Sequence, residues 1–198
     1  MEPVATAVHC VKRARIHPME NVTIIGMGTM GILNAQVAKA FGARVIMSDI
    51  SPKKIQRAKE MGIGEVIDAA DSNPVEKVKR LTDGVGSDVV IVAVANTEAY
   101  RQAYQMVKYH RGRILFFAGG YPKPEFAVDP NDLHYRKAEL IGTVDADAVD
   151  FVDSSRLLSN QLIHVRYALE GKSFDLKDFN AALEAAATHD SYRITVRL

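Results

Sequence analysis

Two apolar patterns alternate along the chain. Short unbroken runs such as "VTIIG", "DVVIVAV" and "RILFFAG" are separated by longer segments whose apolar residues recur every three or four positions. An unbroken apolar run fits a strand covered on both faces, as in a parallel sheet. The runs predict strands at 22–26, 44–49, 65–69, 88–94, 113–119 and 139–143. The longer segments predict helices at about 30–41, 52–61, 74–81 and 98–108. The second of these has plain boundaries: Ser51 as N-cap, Pro52 at the first helical position and Gly62 beyond the end. Its Ile55, Ala58 and Met61 form one apolar face. Strands separated by such helices imply crossovers, and therefore an α/β fold with a doubly wound parallel sheet of about six strands in three α/β/α layers.

The two ends read as additions to that sheet. "EPVATAVHCVKRARI" predicts a helix with Val4, Ala7, Val8 and Val11 on one side and Lys12, Arg13 and Arg15 near its end. After position 143 come an acidic stretch, helices near 149–159 and 176–188, and an alternating "YRITVRL" that predicts a terminal strand. The expected organisation is one domain over 1–198, with an entry helix at 1–20, a βαβ core at 21–148 and the added helices and last strand at 149–198.

Composition narrows the function classes. Basic and acidic residues number 25 and 24, a net charge of +1, so neither nucleic acid nor an anionic membrane would be captured electrostatically. Apolar runs of six to seven residues fall far short of a bilayer span. "MEPVATAVHC" has neither the basic nor the continuous apolar segment of a signal peptide. The lone Cys10 cannot form an internal disulfide or a four-cysteine zinc site, and it fits a reducing, cytoplasmic compartment.

"GMGTMG" places Gly26, Gly28 and Gly31 in G-x-G-x-x-G spacing between a strand and a helix. Gly26 permits a tight turn, Gly28 clears space for a pyrophosphate, and Gly31 lets the helix pack on the strand. Thr29 and Met30, at the helix start, belong to the same cofactor-binding set, because unpaired N–H groups and the helix dipole favour phosphate there. Asp49 ends the next strand, 18 residues after Gly31. A carboxylate there accepts from ribose hydroxyls and repels a 2′-phosphate, which favours NAD over NADP. The pattern is that of a Rossmann-type NAD site. FAD and S-adenosylmethionine use related units with other acids or glycine spacings.

Seven pieces in one order now resemble a known family: "EPVATAVH", "VTIIGMGTMGILNAQVAKAFGA", "MSDISPKKIQRAKEMG", "GVGSDVVIVAV", "GRILFFAGG", "LHYRKAELIGTV" and "YRITVRL". The chain resembles the C-terminal half of the zinc-containing medium-chain alcohol dehydrogenases, especially their polyol (sorbitol) and threonine dehydrogenase branch. The resemblance implies hydride transfer between a secondary alcohol, polyol-like or an amino alcohol, and NAD. It puts Lys54 beside the adenosine, backbone at Val94, Ala95 and 142–144 (Val144 included) against the nicotinamide, and Arg193 near the pyrophosphate. A solvated lysine and a solvent-facing strand-end arginine are the other readings of Lys54 and Arg193. The family often has Gly where Ala95 stands.

The resemblance places Glu2 at the catalytic zinc, as a ligand or a partner of its water. The cysteine and histidine ligands would lie in an N-terminal catalytic domain of about 150 residues. This chain then reads as a fragment or truncated form with no catalytic residue of its own, expected to bind NAD(H) and to oxidise nothing. A homo-oligomer built through a sheet edge is implied as well. A stand-alone NAD sensor and a zinc-free quinone-reductase-like relative are the alternatives.

Other candidates read as structural. His9 is expected to be a packing histidine; His17, His110, His134, His164 and His189 are scattered. Asp145, Asp147, Asp150 and Asp153 lack the glycine and closing glutamate of a calcium loop and predict a solvated first helical turn. "VKRARIH" reads as a basic surface patch, and Tyr100, Tyr104 and Met106 as core or groove residues.

Overall fold

The computed structural model describes residues 1–188 and 190–198; His189 lies outside the described residues. The elements run α1 (Glu2–Arg13), β1 (Asn21–Ile25), α2 (Thr29–Ala40), β2 (Arg44–Asp49), α3 (Pro52–Met61) and β3 (Glu65–Asp68). They continue with α4 (Pro74–Leu81), β4 (Val89–Val92), α5 (Thr97–Met106), β5 (Arg113–Phe116), α6 (Pro130–Arg136) and β6 (Glu139–Gly142). The chain closes with α7 (Ala148–Ser159), β7 (Leu169–Asp175), α8 (Phe179–Ala186) and β8 (Arg193–Arg197). The first six strands form one parallel sheet in the order β3-β2-β1-β4-β5-β6.

The unbroken apolar runs are explained by burial on both sides of this sheet. On β4, Val89 and Ile91 join the layer of Val8, Leu33 and Val37, whereas Val90 and Val92 join that of Val78, Ala103 and Met106. Each such side chain contributes about 1.5–3 kcal/mol by leaving water. α3 has the expected ends: Ser51 Oγ accepts from the Lys54 amide, Pro52 begins the helix, and Gly62 closes it in the left-handed region at φ 62°.

Three features differ from the sequence reading. The seven-residue α6 was not expected, because "PNDLHYR" has no apolar periodicity, although Asp129 and Pro130 cap it as Ser51 and Pro52 cap α3. The predicted helix at 176–188 is shorter, with Leu176–Asp178 forming a 3-10 turn before α8. The expected terminal strand is β8, but it pairs in parallel with β7 as a separate two-stranded sheet. "LEGKSFD" on β7 carries too many polar residues for its pattern to announce a strand.

The acidic stretch corrects the solvated-turn reading. Asp145 and Asp147 are exposed, but Asp150 is only 1% exposed. It accepts from the Asp147 amide at 3.0 Å in a capping box, and from Lys12 Nζ at 2.8 Å, and its Oδ2 lies 2.7 Å from His9 Nδ1. Lys12 also pairs with Asp153 at 2.6 Å. α1 buries Val4, Ala5, Ala7, Val8, Cys10 and Val11 and brings its basic end over α7, so charge neutralisation replaces solvation. The patch read as surface is therefore partly a clasp: Lys12 holds α7, Arg15 pairs with Glu139, and Arg13 donates to the Gly142 carbonyl at 3.2 Å.

Burial alone would raise the Asp150 carboxyl. The Lys12 ammonium, the Asp147 amide and His9 outweigh it and hold the group below the usual carboxylate range. A depressed folded-state pKa stabilises above the unfolded value and is lost as pH falls through the folded one. Asp150→Asn is thus expected to lose about 2 kcal/mol at neutral pH. Urea unfolding should show the gap to the unaltered chain narrowing below about pH 4. Among the described residues no helix is long and apolar enough to cross a membrane.

Candidate nucleotide-binding site

The three glycines between β1 and α2 are required for three different reasons. Gly26 turns with φ 97°, its amide donates to the Ser48 carbonyl at 2.8 Å, and a Cβ there would meet Val94 Cγ1 at 2.5 Å. Gly31 packs α2 on the turn: a Cβ there would overlap the Gly26 carbonyl oxygen and stand 2.8 Å from its carbon. Gly28 is the N-cap of α2 with φ −67°, and a Cβ there would meet nothing within 4 Å. No side chain caps this helix start, where Thr29 and Met30 sit. Open space therefore lies beside a helix end that lacks an acceptor.

Asp49 fastens this turn to the end of β2. Its Oδ2 accepts from the Met27 amide at 2.6 Å, and its Oδ1 from the Ile50 and Ser51 amides at 2.8 and 2.9 Å. A carboxylate offers about four acceptor positions, so one on Oδ2 stays open.

A cavity of about 750 Å³ opens at the carboxyl ends of β1, β2 and β4, where the strand order reverses. Of the residues singled out from sequence, Gly26, Asp49, Lys54, Val94 and Ala95 line it. Ser48, Ile50, Asn96, Thr97 and Gln102 line it too and were missed. The signal for Asn96 was present: it caps α5, accepting from the Ala99 amide at 2.7 Å. Ser48 Oγ is buried without a hydrogen-bond partner at this wall. Ala95 fits because its neighbour is Gly120, where a Cβ would collide with the Ala95 methyl.

Gly28, Thr29, Met30, Gly31, Val144 and Arg193 are not on the cavity wall. Val144 is exposed on the loop after β6. Arg193 is exposed at the start of β8, directly after Tyr192, which the sequence reading also missed. Tyr192 is buried and its hydroxyl donates to the Met27 carbonyl at 3.0 Å. The Arg57 guanidinium lies 4.2 Å from its ring centre, and Glu170 Oε2 accepts its amide at 2.8 Å. Burial pushes the phenol well above its usual range; Arg57 opposes this, and Asp49, Glu170 and Asp190 reinforce it. The β7–β8 pair is thereby fastened to the glycine turn.

Glu2 is exposed and accepts from Thr6 Oγ1 at 3.1 Å. Among the described residues only His9, Asp147 and Asp150 gather three metal-ligand atoms, without Glu2 and with Asp150 already held by Lys12. The Lys12 ammonium, 2.8 Å from Asp150 and itself a cation, occupies and opposes such a site, so these residues do not fit zinc. His9 is a partnered histidine, its partner being a carboxylate rather than apolar packing alone.

A six-stranded parallel sheet with a glycine turn and an acid at the next strand's end defines a Rossmann-type α/β protein. A family model described as zinc-binding dehydrogenase matches residues 29–160. The chain belongs to the zinc-binding dehydrogenase family. It is 26% identical over 176 residues to a sorbitol dehydrogenase from Bacillus subtilis (strain 168), covering 86% of this chain and 49% of that protein. It is 30% identical over 166 residues to a 2-dehydro-3-deoxy-L-galactonate 5-dehydrogenase from Pseudoalteromonas atlantica, covering 84% and 48%. The chain spans about half the length of the curated relatives it matches. A solved protein from Sinorhizobium meliloti 1021, assigned as a zinc-binding dehydrogenase and bound to NADP, gives a TM-score of 0.88 at 22% identity, over 100% of this chain and 58% of that one. The 2R,3R-butanediol dehydrogenase of Bacillus subtilis gives 0.86 at 22%, over 100% and 56%. At that identity the likeness shows the fold alone.

Proposed function

We propose that this chain is the NAD(H)-binding half of a dehydrogenase that passes hydride between a secondary alcohol and NAD. The observation that carries the reading is the turn from Gly26 to Gly31, whose open space at Gly28 meets an uncapped helix start beside the Asp49 cavity. A dinucleotide fits these residues: its diphosphate would take the amides at Thr29, Met30 and Gly31, and its ribose the remaining acceptor on Asp49. Lys54 would stand beside the adenosine, Arg193 would serve the diphosphate, and Val94, Ala95 and Val144 would border the nicotinamide. The bound nicotinamide supplies the hydride chemistry; the residues here hold and orient it.

Relatives named for sorbitol and 2-dehydro-3-deoxy-L-galactonate support a polyol-like substrate. Zinc belongs to this proposal only through ligands outside the described residues, and Glu2 is kept as a partner of that site. Among the described residues β6 pairs on one side only, with β5, and exposes Leu140, which supports a homo-oligomer through that edge. The unpaired, buried Cys10 supports a reducing compartment such as the cytoplasm.

Gly28→Ala tests the reading. The added methyl meets no protein atom, so stability should fall by at most about 1 kcal/mol, the loss of a tolerable N-cap. NADH affinity, followed by fluorescence titration, should fall about tenfold or more, because the methyl occupies the diphosphate's space. Unchanged affinity would remove the diphosphate from this turn.

A further inference from the structure

Lys54 is the one cationic side chain among the described residues that line the cavity. Its side chain is 11% exposed, and its Nζ lies 4.0 Å from Asp190 Oδ1. Asp190 belongs to the connection between α8 and β8, two residues before Tyr192, and its side chain is 43% exposed. Asp49 lines the same cavity as Lys54. The one cation on this cavity wall is therefore faced by an acid from a distant part of the sequence.

This arrangement bears on which dinucleotide the cavity takes. A 2′-phosphate carries between one and two negative charges near neutral pH and needs a cation to offset them. Asp49 opposes such a phosphate from the end of β2, where three amide N–H groups fix its position. Lys54 is the group that could receive the phosphate, and Asp190 lies against it.

We infer that Asp190 is a cofactor-selecting residue: it engages Lys54 and adds its own negative charge, turning the site away from NADP(H) and towards NAD(H). The inference rests on the dinucleotide reading above. It adds a residue far outside the glycine motif and assigns it a discriminating role beside that of Asp49. The device is electrostatic and partly exposed, so it weakens as salt shortens the screening length from about 10 Å at 0.1 M.

The test is a fluorescence titration of the chain with NADH and with NADPH at low salt. It compares the unaltered protein with Asp190→Asn, Asp190→Glu and the double variant Asp190→Asn/Lys54→Met. Asp190→Asn is expected to move the ratio of the two dissociation constants about tenfold towards NADPH, and Asp190→Glu to restore it. The double variant should lose the gained NADPH affinity, because its receiving cation is gone. A ratio within twofold of the unaltered chain in Asp190→Asn overturns the inference and leaves the nucleotide reading intact. So does a gain that persists without Lys54. Failure of the unaltered chain to bind either nucleotide overturns the nucleotide reading, and the inference with it.

Discussion

Gly31→Ala is expected to lower the stability of the chain by about 3 kcal/mol or more, a large share of the roughly 5–15 kcal/mol that holds an ordinary domain. The substitution looks mild. Within a helix, alanine is favoured over glycine by about 1 kcal/mol, and α2 is otherwise rich in good helix formers. The sign is set by what the methyl meets. A Cβ at Gly31 would overlap the carbonyl oxygen of Gly26 and stand 2.8 Å from its carbon, both backbone atoms with no rotamer to yield. Relief requires α2 to lift from β1, which would open the layer that buries Ile32, Leu33, Ala35 and Val37. Urea unfolding followed by circular dichroism reads the effect. A midpoint equal to that of the unaltered chain would mean that α2 and the turn are farther apart than these distances state. Gly28→Ala is the matched control, since its methyl enters open space in the same motif.

The fold was legible where burial on two faces left its mark. Strands with both faces covered must be apolar at every position, and "DVVIVAV" could hardly be read otherwise. The helix α3 was legible from its ends because serine, proline and glycine act there through local geometry. What escaped notice lay where local pattern carries little information. α6 buries only Arg136 and so has no apolar stripe. β7 keeps an exposed middle, and its register against β8 is irregular between Leu169 and Ser173. The fate of "YRITVRL" was undetermined in the sequence, because alternation announces a strand but not its partner.

The candidate site divides in the same way. Glycine spacing and the distance to Asp49 are local, and they pointed to the turn and to one wall of the cavity. Tyr192 reaches Met27 across 165 positions, and Asp190 reaches Lys54 from the same distant loop. The clasp of His9 and Lys12 on Asp150 likewise joins residues about 140 positions apart. In the sequence Lys12 and Asp150 read as solvated charges, His9 as a packing histidine and Lys54 as a neighbour of the adenosine, while nothing local marked Tyr192 or Asp190. Only the docking of α1 on α7, and of β8 on the glycine turn, makes them partners.

Asp49→Asn is the second large effect, and it separates two duties of one carboxylate. The amide has one oxygen and one nitrogen where the acid has two acceptors. If its oxygen keeps the Ile50 and Ser51 amides, its NH₂ group faces the Met27 amide, a donor against a donor at a distance now 2.6 Å. The flipped amide sets the NH₂ against two donors and is worse. Leaving buried amides unpaired costs about 1–3 kcal/mol, so unfolding should show a loss of about 2 kcal/mol. NADH affinity should fall more steeply, by about 100-fold, because the last ribose acceptor is lost and the glycine turn is released from β2. The two readouts need not move together. A chain that lost stability yet held NADH as before would show that Asp49 only ties the turn, and the ribose would then have to be held by another group on the cavity wall. A chain that lost both would place the fastening of the turn and the grip on the sugar in the same oxygen atoms, which explains why an acid is needed at the end of β2 although three backbone amides already occupy it.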